Sequence, residues 1–453
     1  MRTIILALTV IGIAGLFAQD THTITAKQIK DKGLTDLAAY EMLKDLTTNI
    51  GHRLSGSEGY EKAVVWGKQQ LEAAGADSVW LEPVMVTKWV RGKTERATAV
   101  AGKESFELSV CALGGSIGTT GKGTTGDVIE VRSFEEVRVL GPKAKGKIIF
   151  YNRPFDKTLL NSGEAYGGAV NQRGSGAIEA AKVGAAGVIV RSMTNALDDE
   201  PHTGAMRYVD SIPKIPAVAI STLDANMLSE LIKKNASVSV TMQLSAAIFP
   251  DVPSYNVIGE IRGSEYPEEI VLVGGHLDSW DKGTGAHDDG SGIVQSIEVI
   301  RLMKALQLRP KRTIRAVLFA NEENGLKGAR AYAARKQNST DKHIAAIESD
   351  AGGFLPRSFG VTADSLTYEK IKAMAPLLEI AGAGKITRGG GGADIDPLEQ
   401  FGTVLIGMHP ESQRYFDYHH SNHDTLDKVH PRELEIGAIA MTIFSWLISE
   451  NGI

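Results

Sequence analysis

Cysteine is nearly absent. Cys111 is the only one in 453 residues, so no intrachain disulfide and no multi-thiolate metal site can be built. Stability then rests on core size alone, and Cys111 reads as a small buried apolar residue. An excess of charge of one sign is also missing. Lys and Arg number 49 against 54 Asp and Glu, for a formal charge of −5. With no long basic stretch, nucleic acid is excluded as a partner. Proline is modest at 15 against 49 glycines, which suits an α/β protein with many turns. Past the first residues there is no apolar run of the roughly 20 residues a membrane span needs.

The one sustained apolar run lies at the start. Arg2 precedes Ile4 to Phe17, and Ala18 follows. Charge, apolar stretch and small residue in that order form a secretory signal, with a cut expected after Ala18 that leaves Gln19 at the new terminus. The alternative is an uncleaved anchor. The expected location is secreted or periplasmic, with no membrane association once the signal is removed. The remainder, in a chain 43% hydrophobic and 23% charged, is ordinary for a folded protein of two or three domains.

Three segments follow the signal. Residues 19–115 begin with helical periodicity over 34–76, broken by the turn G-H-R-L-S-G-S-E-G, and continue in strand-like alternation over 78–112. The run Gly118 to Gly126 reads as a linker opening a second block, 116–245. In it, Asp127–Val131, Lys147–Tyr151, Gly187–Val190 and Ile215–Ile220 read as short strands, with helices near Ile178–Val183 and Leu228–Lys233. No metal-ligand pair stands out in this block, which reads as an inserted domain that shapes or covers a site. From 246 to 453, strands at Ile270–Val273, Ile314–Phe319, Ile344–Ile347 and Val404–Gly407 alternate with helical stretches such as Gly292–Leu306. Such alternation predicts an α/β fold with a mostly parallel sheet and helices on both faces, with ligands outside the carboxyl ends of the strands.

Five motifs sit in those places. V-G-G-H-L-D-S-W follows a strand and sets His276 two residues before Asp278, on the same side of an extended chain. A carboxylate on the far nitrogen of a ligand His fixes its tautomer, which is the role expected of Asp278. G-A-H-D-D-G-S-G places Asp288 and Asp289 side by side before a helix, a costly pairing unless a cation or the helix start absorbs the charge. His287 is expected to point away as a mere neighbour. L-F-A-N-E-E-N-G ends another strand with Glu322 and Glu323; one can hold metal while the other acts as base toward a water. I-E-S-D-A-G-G offers Asp350, with Glu348 as support, and Y-H-H-S-N-H-D-T-L concentrates three histidines, of which one need bind metal. Each motif alone also fits a capping or solvated role. Jointly they form a set of imidazoles and carboxylates suited to two divalent ions sharing one carboxylate, and so to a two-metal hydrolase.

The order His, Asp, Glu-Glu, Asp, His resembles the zinc exopeptidases that include bacterial leucine aminopeptidases and glutamate carboxypeptidase. The likeness extends to G-x-R-L-S-G-S at Gly51–Ser57, L-E-P-V at Leu81–Val84 and L-R-P-K-R-T at Leu308–Thr313, and it covers nearly all of the mature chain. It implies two Zn2+ per subunit: one held by His276 and Asp350, the other by Glu323 and His420, with Asp288 bridging and Glu322 carrying the proton. It also implies a cis peptide at Asp288–Asp289. Ala180–Val190 and Pro213–Val218 resemble a protease-associated domain. The implied activity is exopeptidase cleavage of short peptides or dipeptides, with free carboxyl ends favoured and aminopeptidase action as the runner-up. Relatives often form homodimers; the residues do not decide it. For a free terminus, Asp394 is a candidate partner of an amine, and Arg388 or Lys282 of a carboxylate. A binding or receptor-like relative without catalysis, and a hydrolase of non-peptide amides, are the other readings. The sequence departs from the family pattern at His287, Asn321 and the four glycines Gly389–Gly392, which bears on substrate preference.

Overall fold

The computed structural model describes residues 21–336 and 339–453. The leader over 1–18 lies outside the described residues, and among those described no helix is long and apolar enough to cross a membrane.

Alternation along the strands builds the main sheet with two buried faces. Val271 and Val273, Ile314 and Ala316, Ala345 and Ile347 face one core. Their neighbours along the strands, Leu272, Val317 and Ala346, face another with Tyr332 and Leu398. Side chains of successive strand residues point to opposite faces, so a strand covered on both sides is largely apolar; an exception here is Arg315, buried in an ion pair with Glu260 at 2.7 Å. All four expected strands exist, as Tyr266–His276, Arg312–Phe319, Lys342–Glu348 and Val404–Pro410. They are the parallel centre of an eight-stranded sheet.

Outside that centre the sheet is mixed, which corrects the expected mostly parallel arrangement. Ala247–Ile261 runs antiparallel to Arg312–Phe319 on one flank, and Pro356–Thr362 runs antiparallel to Val404–Pro410 on the other. The edges are Ser78–Val90, antiparallel to its neighbour, and Lys385–Arg388, parallel to its neighbour. Periodicity reports which residues are buried. It carries no record of strand direction.

Helix Ser291–Ala305 is buried on nearly every side, packed between the sheet and helix Pro431–Asn451, itself buried along most of its length. Helices Ala38–Asp45 and Glu58–Ala73 join the same layer. Gly67 lets the latter helix approach closely: a Cβ there would lie 2.8 Å from Leu318. Lys327–Lys336 covers the opposite face through Ala329, Tyr332 and Ala333.

A second eight-stranded sheet is built from Glu95 to Leu244. Four of its strands are parallel neighbours: Thr124–Val131, Ile148–Tyr151, Gly187–Arg191 and Ala217–Ile220. The strands that bracket it in sequence pair with each other in the first sheet, down to Trp89 opposite Ile248 and Val90 opposite Ala247. The segment therefore leaves and re-enters the main sheet at one point. Glu95–Ala101, Glu104–Leu108 and Val110–Ala112 also belong to this second sheet, so it starts well before residue 116. The end of the glycine-rich run is strand rather than linker, since Thr124 opens Thr124–Val131.

Two acids are buried among the packed helices. Glu298 accepts hydrogen bonds of 2.7 and 2.6 Å from Arg301. Glu435 accepts one from the Ala39 N–H at 3.1 Å and shares a side-chain hydrogen bond with Glu298. Burial, then the charge of Glu298, pushes the Glu435 carboxyl up to about 9. An acid raised in the folded state keeps a proton that the unfolded chain releases, so its contribution to stability falls as pH rises from 4.5 toward 9. Glu435→Gln keeps the acceptor for Ala39 and removes that titration. Its Tm relative to wild type is expected to rise from about pH 5 to about pH 8, by a degree or more, in parallel thermal melts. A constant difference across that range would contradict the assignment.

Candidate metal centre and active site

Parallel strand ends collect the donors. His276 ends its strand opposite Phe319, and Gly274 lies opposite Glu348 on the other neighbour. Glu322 and Glu323 come just after Phe319, and Asp350 just after Glu348, so all of these donors emerge at the carboxyl ends of the central parallel strands. Asp288 stands before helix Ser291–Ala305, and His420 follows the short helix Tyr415–Tyr418 in a left-handed conformation.

His276 Nε2 lies 3.1 Å from Asp288 Oδ1 and 3.6 Å from Asp350 Oδ1. His420 Nε2 lies 3.1 Å from both Asp288 Oδ2 and Glu323 Oε2. The two oxygens of one carboxylate thus face different imidazoles. Two donor groups result, His276 with Asp288 and Asp350, and Asp288 with His419 and His420, each with its donor atoms within 4.8 Å. Asp288 is common to both. The Asp288–Asp289 peptide is cis.

The neighbours of these donors explain their orientation. His276 Nδ1 donates to the Asp278 backbone carbonyl at 3.0 Å, which leaves Nε2 free as a ligand. The Asp278 carboxylate is 3.9 Å from that ring, too far to set its tautomer as expected. It accepts instead the N–H groups of Glu322 at 3.0 Å and Glu323 at 3.3 Å, and the Ser55 hydroxyl at 3.0 Å. Asp278 therefore holds the turn that carries both glutamates. Asp289 accepts from His276 N–H at 3.1 Å and from Gly292 N–H at 2.9 Å, so the second of the adjacent aspartates caps the buried helix. His287 points away as expected. It stacks on Phe354 with centroids 4.3 Å apart, and its Nδ1 accepts from Gly353 N–H.

Several contributors went unread in the sequence. His419 stacks on His420 at 3.5 Å between centroids, with Nε2 3.6 Å from Asp288 Oδ2. Two adjacent histidines gave no basis for seeing both at the centre; His420 makes the closer contacts. Asp424 accepts the N–H groups of His287 at 2.6 Å and Asp288 at 3.1 Å, pinning the shared carboxylate from below. In the sequence it shows only as the aspartate of Y-H-H-S-N-H-D-T-L. Arg53 was visible only as part of a turn.

A cavity of about 830 Å³ opens over the donors. Asp288, Glu322, Glu323, Asp350, His419 and His420 line one wall, and Tyr166, Arg173, Met206 and Arg207 from the second-sheet segment line another. The three expected terminus partners are not among the lining residues. Arg388 lies on an edge strand with its guanidinium 4.1 Å from the Tyr368 ring centroid. Lys282 pairs with Glu95 at 3.1 Å. Asp394 is buried behind the centre, where neither carboxylate oxygen has a hydrogen-bond partner and burial, then Glu348, raises its pKa.

The electrostatics call for cations. Burial, then Asp288, raises Glu323 to about 7. Burial, with Asp350, Glu323 and Asp278, raises Glu322 well above the carboxylate range despite the opposing influence of His276. Asp288 Oδ2 is buried without a well-directed hydrogen bond. Acids gathered this way oppose one another's ionisation unless positive charge is added. Imidazole and carboxylate donors suit zinc, and the shared aspartate gives a pair of sites.

The model of peptidase family M28 matches residues 256–444. Carboxypeptidase Q of Homo sapiens is 37% identical over 412 residues, 91% of this chain and 85% of that protein. The crystal structure of a peptidase M28 precursor from Shewanella amazonensis SB2B superposes with a TM-score of 0.92 at 33% identity, covering 96% of this chain and 98% of that one. A zinc aminopeptidase from Bacillus subtilis shares the fold, with a TM-score of 0.64 at 20% identity over 91% of this chain and 94% of its own. This chain belongs to peptidase family M28. Its centre is that of a di-zinc metalloexopeptidase acting on peptides, and within the family it is closely related to carboxypeptidase Q.

Zinc analysis after dialysis is expected to give about two equivalents per chain. Asp288→Ala should lose both, because both sites need its carboxylate, whereas Asp350→Ala and Glu323→Ala should each retain about one. Equal retention by Asp288→Ala and Asp350→Ala would contradict the sharing.

Proposed function

We propose that this enzyme removes residues from dipeptides and short peptides that present a free carboxylate, and that Arg173 receives that carboxylate. One observation carries the reading. Arg173 is buried in the cavity wall, and among the described residues no carboxylate lies within ion-pair distance of it. Its guanidinium donates to Tyr166 Oη at 2.5 Å and to the Thr203 carbonyl at 3.4 Å, lies 3.3 Å from His420 Nδ1, and leaves Nε without a partner. A buried cation without a counter-charge is costly, and an anionic substrate group relieves that cost. Arg207 and Arg330 line the same cavity and add to its positive potential. Aminopeptidase action, the runner-up, needs an acid free to meet an amine, and Asp394 is sealed behind the centre.

His276 and Asp350 would hold one zinc, Glu323 and His420 the other, and Asp288 both. Zinc supplies Lewis acidity there, which brings the pKa of water to roughly 7 and favours charge on the scissile carbonyl. Glu322, half-buried at the cavity wall, takes a proton from the attacking water and returns it to the leaving amine. Its backbone N–H, held by Asp278, fixes where that carboxylate stands. Both the donors and Glu322 are present, which favours catalysis over a binding-only role. The segment 95–244 roofs the site, and its insertion between two paired strands supports an inserted domain of the protease-associated kind. The order of charge, apolar run and small residue at the start supports export.

Glu322→Gln is expected to keep its zinc and lose about 100- to 10,000-fold in kcat; retained turnover would refute the base assignment. Arg173→Met is expected to raise KM roughly 10- to 100-fold for dipeptides with a free carboxylate and to leave C-terminally amidated ones unchanged. Equal effects on both substrates would return the choice to aminopeptidase action.

A further inference from the structure

The N-terminal turn G-H-R-L-S-G-S contributes no donor to the cavity, yet Arg53 within it is fully buried. A guanidinium is seldom buried without a carboxylate partner, and among the described residues Arg53 makes no ion pair. It spends its donors on backbone carbonyls: Nε on Leu277 at 2.6 Å, Nη1 on Thr284 at 2.8 Å and Nη2 on Gly285 at 3.0 Å. Its own N–H donates to Ser279 Oγ at 3.1 Å. The segment from Leu277 to Gly285 is thus folded around one side chain. Immediately after it come Ala286 to Gly290, with Asp288 in the middle.

The fit is close. Gly285 has φ +59, and a Cβ there would lie 2.8 Å from Arg53 Nη1 and 2.3 Å from Ser279 Cβ. Two residues beyond Arg53, Ser55 donates to the Asp278 carboxylate that holds the Glu322–Glu323 turn. One extended turn therefore reaches both loops that supply the centre. The charge of Arg53 acts in the same direction, since Asp424, Asp289, Asp278 and Asp288 all lie in its field.

We propose that Arg53 is a positioning residue of the metal centre: it fixes the loop leading to the shared Asp288 and, with Ser55, joins that loop to the turn bearing Glu322 and Glu323. This rests on the di-zinc reading. Groups that orient metal ligands without touching the ion typically govern affinity by 10- to 100-fold.

The test uses the full chain in its zinc-loaded form. Zinc affinity is measured by competition with a chelator, alongside kcat, KM and Tm, for wild type, Arg53→Met, Arg53→Lys and a control, Ile371→Ala. Ile371 is buried on helix Ser365–Lys372, away from the centre. Arg53→Met is expected to weaken zinc binding about 10- to 100-fold and to lower kcat with KM within about twofold. Arg53→Lys keeps the charge and only some of the carbonyl bonds, so it should recover part of the affinity. The control should lose Tm and keep wild-type zinc affinity. If Arg53→Met does not fold, the comparison of Arg53→Lys with the control decides the matter: weaker zinc binding in Arg53→Lys alone supports the proposal. Wild-type zinc affinity in the Arg53 variants, or an equal loss in the control, overturns it. A wild-type chain that takes up no zinc overturns the di-zinc reading and this proposal together.

Discussion

Everything in this molecule turns on one carboxylate that faces two imidazoles. Asp288 presents Oδ1 to His276 and Oδ2 to His420, each at 3.1 Å. Around it lie Asp350, Glu322 and Glu323, a gathering of acids that a folded chain tolerates only with cations among them. The fold keeps that arrangement from relaxing. Asp424 grips the backbone at Asp288 from one side, Asp289 ties the next residue to the strand end at His276 and the helix start at Gly292, and parallel pairing aligns the strand ends. Much of the chemistry of the motifs is thus support for ligands rather than ligation itself.

The second-sheet segment completes the site. Tyr166 stacks on Phe416 with centroids 4.7 Å apart, and Phe155 meets the same ring at 5.5 Å, so an aromatic cluster seats that segment against the donor loops. Gly204 makes the approach tight: a Cβ there would lie 2.3 Å from Arg173 Nη1 and 2.6 Å from His420 Nδ1. Arg91 reaches back across the junction to Asp281 at 2.5 Å and to Thr203 at 3.2 Å. The substrate cavity is therefore a joint product of two sheets: one provides the donors, the other an aromatic and cationic wall.

What was legible in the sequence follows from what a sequence records. Strand ends followed by acids and histidines mark a site because buried β-branched runs rarely end in charge without a purpose, and His276, Asp288, Glu323, Asp350 and His420 do converge. The four central strands were visible through their buried runs, while the antiparallel flanks and the early start of the second sheet were not. The bonds that Asp278 accepts from the glutamate turn and from Ser55 were hidden because all three lie far apart in sequence. Cations near a motif carry no label for their partners: Arg388 lies over Tyr368 and Lys282 pairs with Glu95. Arg173 lies ahead of the helix expected at Ile178–Val183, in the first turn of the observed helix Asn171–Lys182, and nothing local distinguishes it from a surface cation.

The central claim is the sharing of Asp288 by two ions. A crystal of the zinc-loaded protein, with anomalous difference density measured on either side of the zinc absorption edge, tests it most directly. Two peaks are expected about 3.5–4 Å apart on opposite sides of the Asp288 carboxylate, one beside His276 and the other beside His420. A single peak, or peaks away from Asp288, would contradict it.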